Sequence, residues 1–141
     1  MENAITLKNK NVLVTGGSRG IGAGICRVMA SCGANVIINY HQQKESAAQL
    51  AKELQKNFGV KTFSFKADVA NQKEVIRMFA FIDKSVGSID VLVNNAGCLT
   101  IAHALYLKLA GWDLIFKCKF EKNFYLFAGA CKRMTAKKQS G

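Results

Sequence analysis

The chain has 141 residues, half of them hydrophobic, a formal net charge of +11, five cysteines, two histidines and no proline. That is one domain's worth of chain or a piece of a larger one. No apolar run approaches the roughly 18–20 residues needed to span a bilayer, so no membrane partner is expected. The basic residues are spread along helical segments and are densest in "KRMTAKKQSG". No zinc-finger, RRM or KH spacing accompanies them, so specific nucleic-acid binding is not expected, and an anionic small ligand explains part of the charge.

Cys26, Cys32, Cys98, Cys118 and Cys131 form no CxxC pair, and with His41 and His103 they match no common zinc spacing. The expectation is no metal site, reduced thiols serving mostly as small core residues, and a cytoplasmic protein. The opening "MENAITLKNKNVLVTG" has no charged leader followed by a long apolar stretch, so no secretory signal is expected.

Strands and helices alternate along the chain. "NVLVT" (11–15) is a short apolar run ahead of glycines and predicts a buried strand. A helix follows over 21–32 and stops at Gly33. "NVIINY" (35–40) predicts a second strand. An amphipathic helix over 44–58, with Ala47, Leu50, Ala51 and Leu54 on one side, is closed by Gly59. "KTFSF" (61–65) alternates as a third strand, and a helix over 72–86 carries Val75, Met78, Phe79 and Ile82. "IDVLVN" (89–94) is the fourth strand, followed by a short helix over 103–110 and a long one over 112–136.

At about 100° per residue, Trp112, Ile115, Phe116, Phe127, Ala130 and Met134 of the long helix form one apolar stripe, interrupted by Lys119. Strands separated by helices require right-handed crossovers and a parallel sheet covered on both faces. The expected fold is α/β: a truncated, Rossmann-like, doubly wound sheet of about four strands in the order 3-2-1-4. Its fourth strand would be left as an apolar edge.

"TGGSRGIG" (15–22) joins the first strand to the first helix. Gly16 suits a tight turn, Gly20 close approach of a pyrophosphate, and Gly22 close packing of helix on strand. The helix N-terminus would supply N–H groups to the phosphates. The G-x-x-x-G-x-G spacing is one residue wider than the common dinucleotide fingerprint.

This loop, "ADV" (67–69) after the third strand and "NNAG" (94–97) after the fourth resemble, in order and spacing, the short-chain dehydrogenase/reductase family over essentially the whole chain. The bacterial-type 3-oxoacyl-[acyl-carrier-protein] reductases are the subgroup it looks most like. The resemblance implies a nicotinamide dinucleotide as cofactor. Gly16, Gly17, Ser18, Arg19, Gly20, Ile21 and Gly22 would hold the pyrophosphate and adenine ribose, Asp68 and Val69 the adenine, and Asn95, Ala96 and Gly97 the nicotinamide-side ribose. Asp68 also reads as a turn or helix cap, and Asn95 as a structural turn residue.

An NAD-specific site usually carries an acid at the end of the second strand. Here "NYHQQK" puts Asn39 at that place and His41 just beyond it, with no acid before Glu45, while Arg19 stands in the loop to meet a 2′-phosphate. The expected preference is NADP(H) over NAD(H).

The family's reaction, by resemblance, is a hydride transfer assisted by a serine, a tyrosine, a lysine four residues after it, and an asparagine in the long helix. The asparagine position falls on Lys119, and the serine and Tyr-x-x-x-Lys segment are expected beyond a fifth strand. Tyr40 and Lys44 have the right spacing but follow the second strand, at the adenosine end of the cofactor, and read as coincidence. Residues 1–141 are therefore expected to be an incomplete NAD(P)-binding domain of an oxidoreductase, inactive as this chain. The alternative is a non-catalytic nucleotide-binding or vestigial fragment. An acyl thioester substrate and homo-oligomerisation are expected of the full-length family.

Overall fold

The computed structural model describes residues 5–97 and 122–139. They form β1 (Asn11–Val14), α1 (Gly20–Ser31), β2 (Asn35–Tyr40), α2 (Lys44–Phe58), β3 (Thr62–Lys66), α3 (Gln72–Ser85), β4 (Val91–Val93) and α4 (Lys122–Gln139). The sheet is parallel throughout, in the order β3-β2-β1-β4, as the alternation requires. Val12 pairs with Val36 on one side and Val91 on the other, so the central register is apolar across three strands.

Successive strand residues face opposite sides, and the core divides accordingly. Val12, Val14, Val36, Ile38 and Tyr40 pack beneath α1 and α2 with Cys26, Leu50 and Leu54. Leu13 and Ile37 face the other side, with Met78, Phe79 and Ile82 of α3 and Leu126 and Ala130 of α4. Each fully buried Leu or Ile contributes about 1.5–3 kcal/mol. The near-continuous apolar strands follow from burial on both faces.

Helix ends obey local chemistry. Gly59 closes α2 at φ +66°, and Asn71 caps α3 by accepting from the N–H groups of Lys73 and Glu74. The fourth strand is shorter than the 89–94 read from sequence. Ile89 is fully buried beside it, and Asp90 meets Asn11 twice, its N–H donating to Asn11 O (2.9 Å) and its side-chain Oδ2 accepting from Asn11 N–H (2.9 Å). Among the described residues, β4 pairs only with β1.

The apolar stripe assigned to the long helix needs correction. Phe127 is 62% exposed, and the buried face of α4 runs through Leu126 and Ala130 to the half-buried Met134. Phe127 lies one residue, about 100°, away from Leu126, so the stripe holds at Ala130 and Met134 and fails at Phe127, whose place on the buried face is taken by Leu126. α4 approaches α3 at Gly129, where a Cβ would meet Phe79 Cε2 at 2.4 Å. Arg133 lies 4.4 Å over the Phe79 ring and pairs with Asp83 through both nitrogens of its fork. Trp112, Ile115, Phe116, Lys119 and the short helix over 103–110 lie outside the described residues.

Candidate functional site

At the C-terminal end of the sheet the chain leaves β1 through Thr15 and turns at Gly16, whose φ is +61°. A side chain at Gly16 would be strained by that conformation and would also meet Ala96 Cα at 3.0 Å. Gly22 is the close-packing position: a Cβ there would lie 2.2 Å from Gly16 O and 2.6 Å from Asn95 Nδ2. Among the described residues, nothing beyond Gly20's own neighbours and helix backbone lies within 4 Å of where its side chain would be, so its face is open to a ligand.

The exit from β4 is tied to this turn. Asn95 Nδ2 donates to Thr15 O (3.0 Å) and Gly16 O (3.1 Å). Thr15 Oγ1 accepts from the N–H groups of Asn95 and Ala96 and donates to Val93 O. The sequence reading passed over Thr15. A hydroxyl at the last residue before the glycine turn was the available signal, because strand-end hydroxyls satisfy loop amides.

These elements border a cavity of about 490 Å³ lined by Gly16, Ser18, Arg19, Gly20, Ile21 and Gly22 from the loop and α1, and by Asn95, Ala96 and Gly97 from the strand exit. His41 forms its remaining wall with Gln42 and Gln43, two residues the sequence reading did not assign. No acid among the described residues lines it.

Of the three helices that start at this end of the sheet among the described residues, α3 has its leading amides met by Asn71 and carries Glu74 in its first turn. α1 has neither: its cap residue, Arg19, makes no side-chain cap bond, and its first turn has no acid. A helix start left uncapped beside a cavity presents N–H groups and partial positive charge to an anion. The Arg19 side chain is exposed and adds a full charge, and none of the described ion pairs engages it.

Several expected residues stand back from the cavity. Gly17 is buried, and a Cβ on it would lie 3.1 Å from Cys26 Sγ. Burial pushes the Cys26 thiol up to about 12. Asn39 is 2% exposed, and both ends of its amide are engaged within the protein, so it does not present itself to a ribose. Val69 is a core residue, and Asp68 accepts from Ala70 N–H (2.9 Å), the turn-forming arrangement open to it from sequence. Tyr40 is buried with α1 and α2 and does not line the cavity. The Lys119 position lies outside the described residues. Among those residues, no group of His, Cys, Asp and Glu could hold a metal ion, and no helix is long and apolar enough to cross a membrane.

The family model for short chain dehydrogenases matches residues 10–141. The chain belongs to the short-chain dehydrogenase family. It is 42% identical over 105 residues to the 3-oxoacyl-[acyl-carrier-protein] reductase FabG of Staphylococcus epidermidis, an alignment covering 74% of this chain and 43% of that protein. A short-chain dehydrogenase from Burkholderia cenocepacia, solved in complex with NADP, superposes with a TM-score of 0.84 at 30% identity over 91% of this chain and 52% of that one. The L-sorbose reductase of Gluconobacter frateurii, complexed with NADPH and L-sorbose, gives a TM-score of 0.87 at 26% identity over 94% of this chain and 50% of that one. The chain thus spans about half the length of the short-chain dehydrogenases it matches.

Proposed function

We propose that this chain supplies the nucleotide-binding part of a cytoplasmic, NADP(H)-dependent carbonyl reductase of the short-chain type, with a 3-oxoacyl thioester as its substrate class. The carrying observation is the uncapped start of α1, opening with Arg19 onto a cavity that no acid lines among the described residues. The glycine positions fit a dinucleotide: side chains at Gly16 and Gly22 would collide with the loop's own supports, while the space over Gly20 is open. The α1 N–H groups would hold the pyrophosphate and the Arg19 guanidinium a 2′-phosphate. His41 would border the adenosine ribose, Asp68 the adenine, and Asn95 to Gly97 the nicotinamide-side ribose. When bound, the nicotinamide gives or accepts hydride.

The 141 residues alone are expected to bind nucleotide without turnover, because their one Tyr-x-x-x-Lys has its tyrosine buried under α1 and α2. Calorimetric titration tests the cofactor reading. NADPH should bind more tightly than NADH, and Arg19→Glu should weaken NADPH by about tenfold or more, since a charged hydrogen bond is worth roughly 1.5–3 kcal/mol, with little change for NADH. Equal affinities, or tighter NADH, would overturn the preference. NADPH oxidation with a 3-oxoacyl thioester should be absent from wild type and from Lys119→Asn. Turnover in the wild type that disappears in Tyr40→Phe would instead identify Tyr40 as the proton donor.

A further inference from the structure

We infer that Asn39 is a positioning residue whose amide fixes the first peptide of the phosphate loop, an inference that rests on the nucleotide-binding reading above. Asn39 is the penultimate residue of β2, on the same sheet face as Ile37, and is 2% exposed. Its Oδ1 accepts from Gly16 N–H (3.3 Å), and its Nδ2 donates to Ala67 O (3.0 Å) and more weakly to Phe65 O (3.5 Å). Its backbone carbonyl accepts from Gly17 N–H (2.9 Å). One residue therefore holds two successive loop amides and joins them to the end of β3.

The opposite side of Gly16 is held by a second amide, since Asn95 Nδ2 donates to Gly16 O (3.1 Å). Gly16 is thus held at its N–H from β2 and at its C=O from the exit of β4. With the amides of Gly16 and Gly17 turned into the sheet, the phosphate-facing donors are left to the α1 start, and their aim depends on this grip. The position needs an acceptor and a donor at once, which a carboxamide provides and a carboxylate does not. Ionised aspartate could accept from Gly16 N–H but would face the Ala67 and Phe65 carbonyls with no proton to give. Leucine would fill the space and leave Gly16 N–H and Ala67 C=O unmet.

The test compares wild type, Asn39→Leu and Asn39→Asp by NADPH titration and by amide hydrogen exchange at Gly16, at pH 7.5 and pH 5. In Asn39→Leu, NADPH affinity and Gly16 protection should each fall roughly tenfold, the scale of a buried polar group left unmet. Asn39→Asp should match that loss at pH 7.5 and regain much of it at pH 5, because burial against the Ala67 and Phe65 carbonyls raises that carboxyl above the ordinary aspartate range and the protonated acid supplies the missing donor. Arg19, His41, Lys44, Glu45, Lys66, Asp68, Lys73 and Glu74, charged and titratable groups at this end of the sheet among the described residues, are common to all three proteins, so the wild-type profile removes their contribution.

A role in packing alone would give no recovery for the aspartate at low pH, and that result overturns the inference. So does Asn39→Leu retaining wild-type affinity and protection. If Asn39→Leu does not fold, the two pH arms of Asn39→Asp decide. If wild type binds neither NADPH nor NADH, the proposed function falls, while exchange at Gly16 still decides whether Asn39 grips the loop.

Discussion

The two ends of the sheet are both held together by asparagine and aspartate side chains, yet only one is built to receive an anion. At the end where the strands begin, Asn35 Nδ2 donates to Asn11 Oδ1, Asn11 Nδ2 donates to Ser88 O, and Lys61 N–H donates to Asn35 Oδ1. Asp90 accepts from Asn11 N–H and pairs with Lys10 and Lys137. A cavity of about 700 Å³ opens there, larger than the one at the glycine loop, and Lys8 and Lys61 are in its wall. But α1 and α2 end beside it, at Gly33 and Gly59, and helix C-termini present carbonyls and partial negative charge. At the other end α1 begins, uncapped, against a smaller cavity. Helix polarity separates the two better than volume or lysine count.

The largest effect should come from Gly22→Ala. Its methyl would meet Gly16 O, a backbone atom gripped by Asn95, so α1 must shift from the loop. Denaturant unfolding should show a loss of about 3 kcal/mol, at the upper end for overpacking, together with loss of NADPH binding. Normal affinity in a stable Gly22→Ala protein would mean that the loop is not held against α1 as described.

Asp90→Ala tests the opposite end. It leaves Asn11 N–H unmet at a site whose carboxylate is 11% exposed, so unfolding should cost about 1–3 kcal/mol less than for wild type, with NADPH affinity unchanged. The pH dependence has a definite sign. Burial raises the Asp90 carboxyl pKa, but hydrogen bonds from Lys137 and Asn11 and the nearby Lys137 and Lys10 charges outweigh it, leaving it below its ordinary value. The unfolded chain then binds the proton more readily, so this stabilisation is present above the ordinary aspartate value of about 4 and is lost as pH falls through the lowered one. Acid unfolding followed by circular dichroism should therefore separate wild type from Asp90→Ala at neutral pH and bring them together in strong acid.

Asn71→Ala removes the α3 cap and should reduce stability by about 1 kcal/mol in thermal or denaturant melts. It leaves the α1 start as it was, so a large loss of nucleotide affinity would blur the distinction between a capped helix and one kept open for a ligand. The smallest effect is expected of Lys61→Glu, in the wall of the larger cavity. Calorimetry should find NADPH affinity unaltered, and a drop of tenfold would move the anion site to the wrong end of the sheet.

Much of this asymmetry could be read from the chain. β2 and α2 run between the residues the pattern assigned, because each is bounded by strong local signals. The glycine loop and "NNAG" meet at one cavity because both leave neighbouring parallel strands at the same end. Asn39 was harder. Its position at the end of β2 is correct, but period-two alternation gives only a face, not whether a polar side chain there finds solvent or a loop amide 23 residues earlier. Phe127 failed for a related reason: helical angle placed it beside the buried Ala130 and Met134, while the margin of the buried face is set by the close approach of Phe79 and Gly129, on different helices. Thr15 and Asp90 carry no motif, and their roles arise only when β4 comes to lie against β1.

The thiol of Cys26 offers a clock for the glycine loop. It is fully buried with its Sγ 3.8 Å from Gly17 O, and at neutral pH it is held almost entirely as the unreactive protonated form. Cys32 and Cys131 are half-buried. An alkylating reagent followed by mass mapping should therefore modify those two first and reach Cys26 only when α1 lifts from the sheet. Its labelling rate then counts loop openings directly, and a ligand seated on the loop should slow Cys26 while leaving the rate at Cys131 as it was.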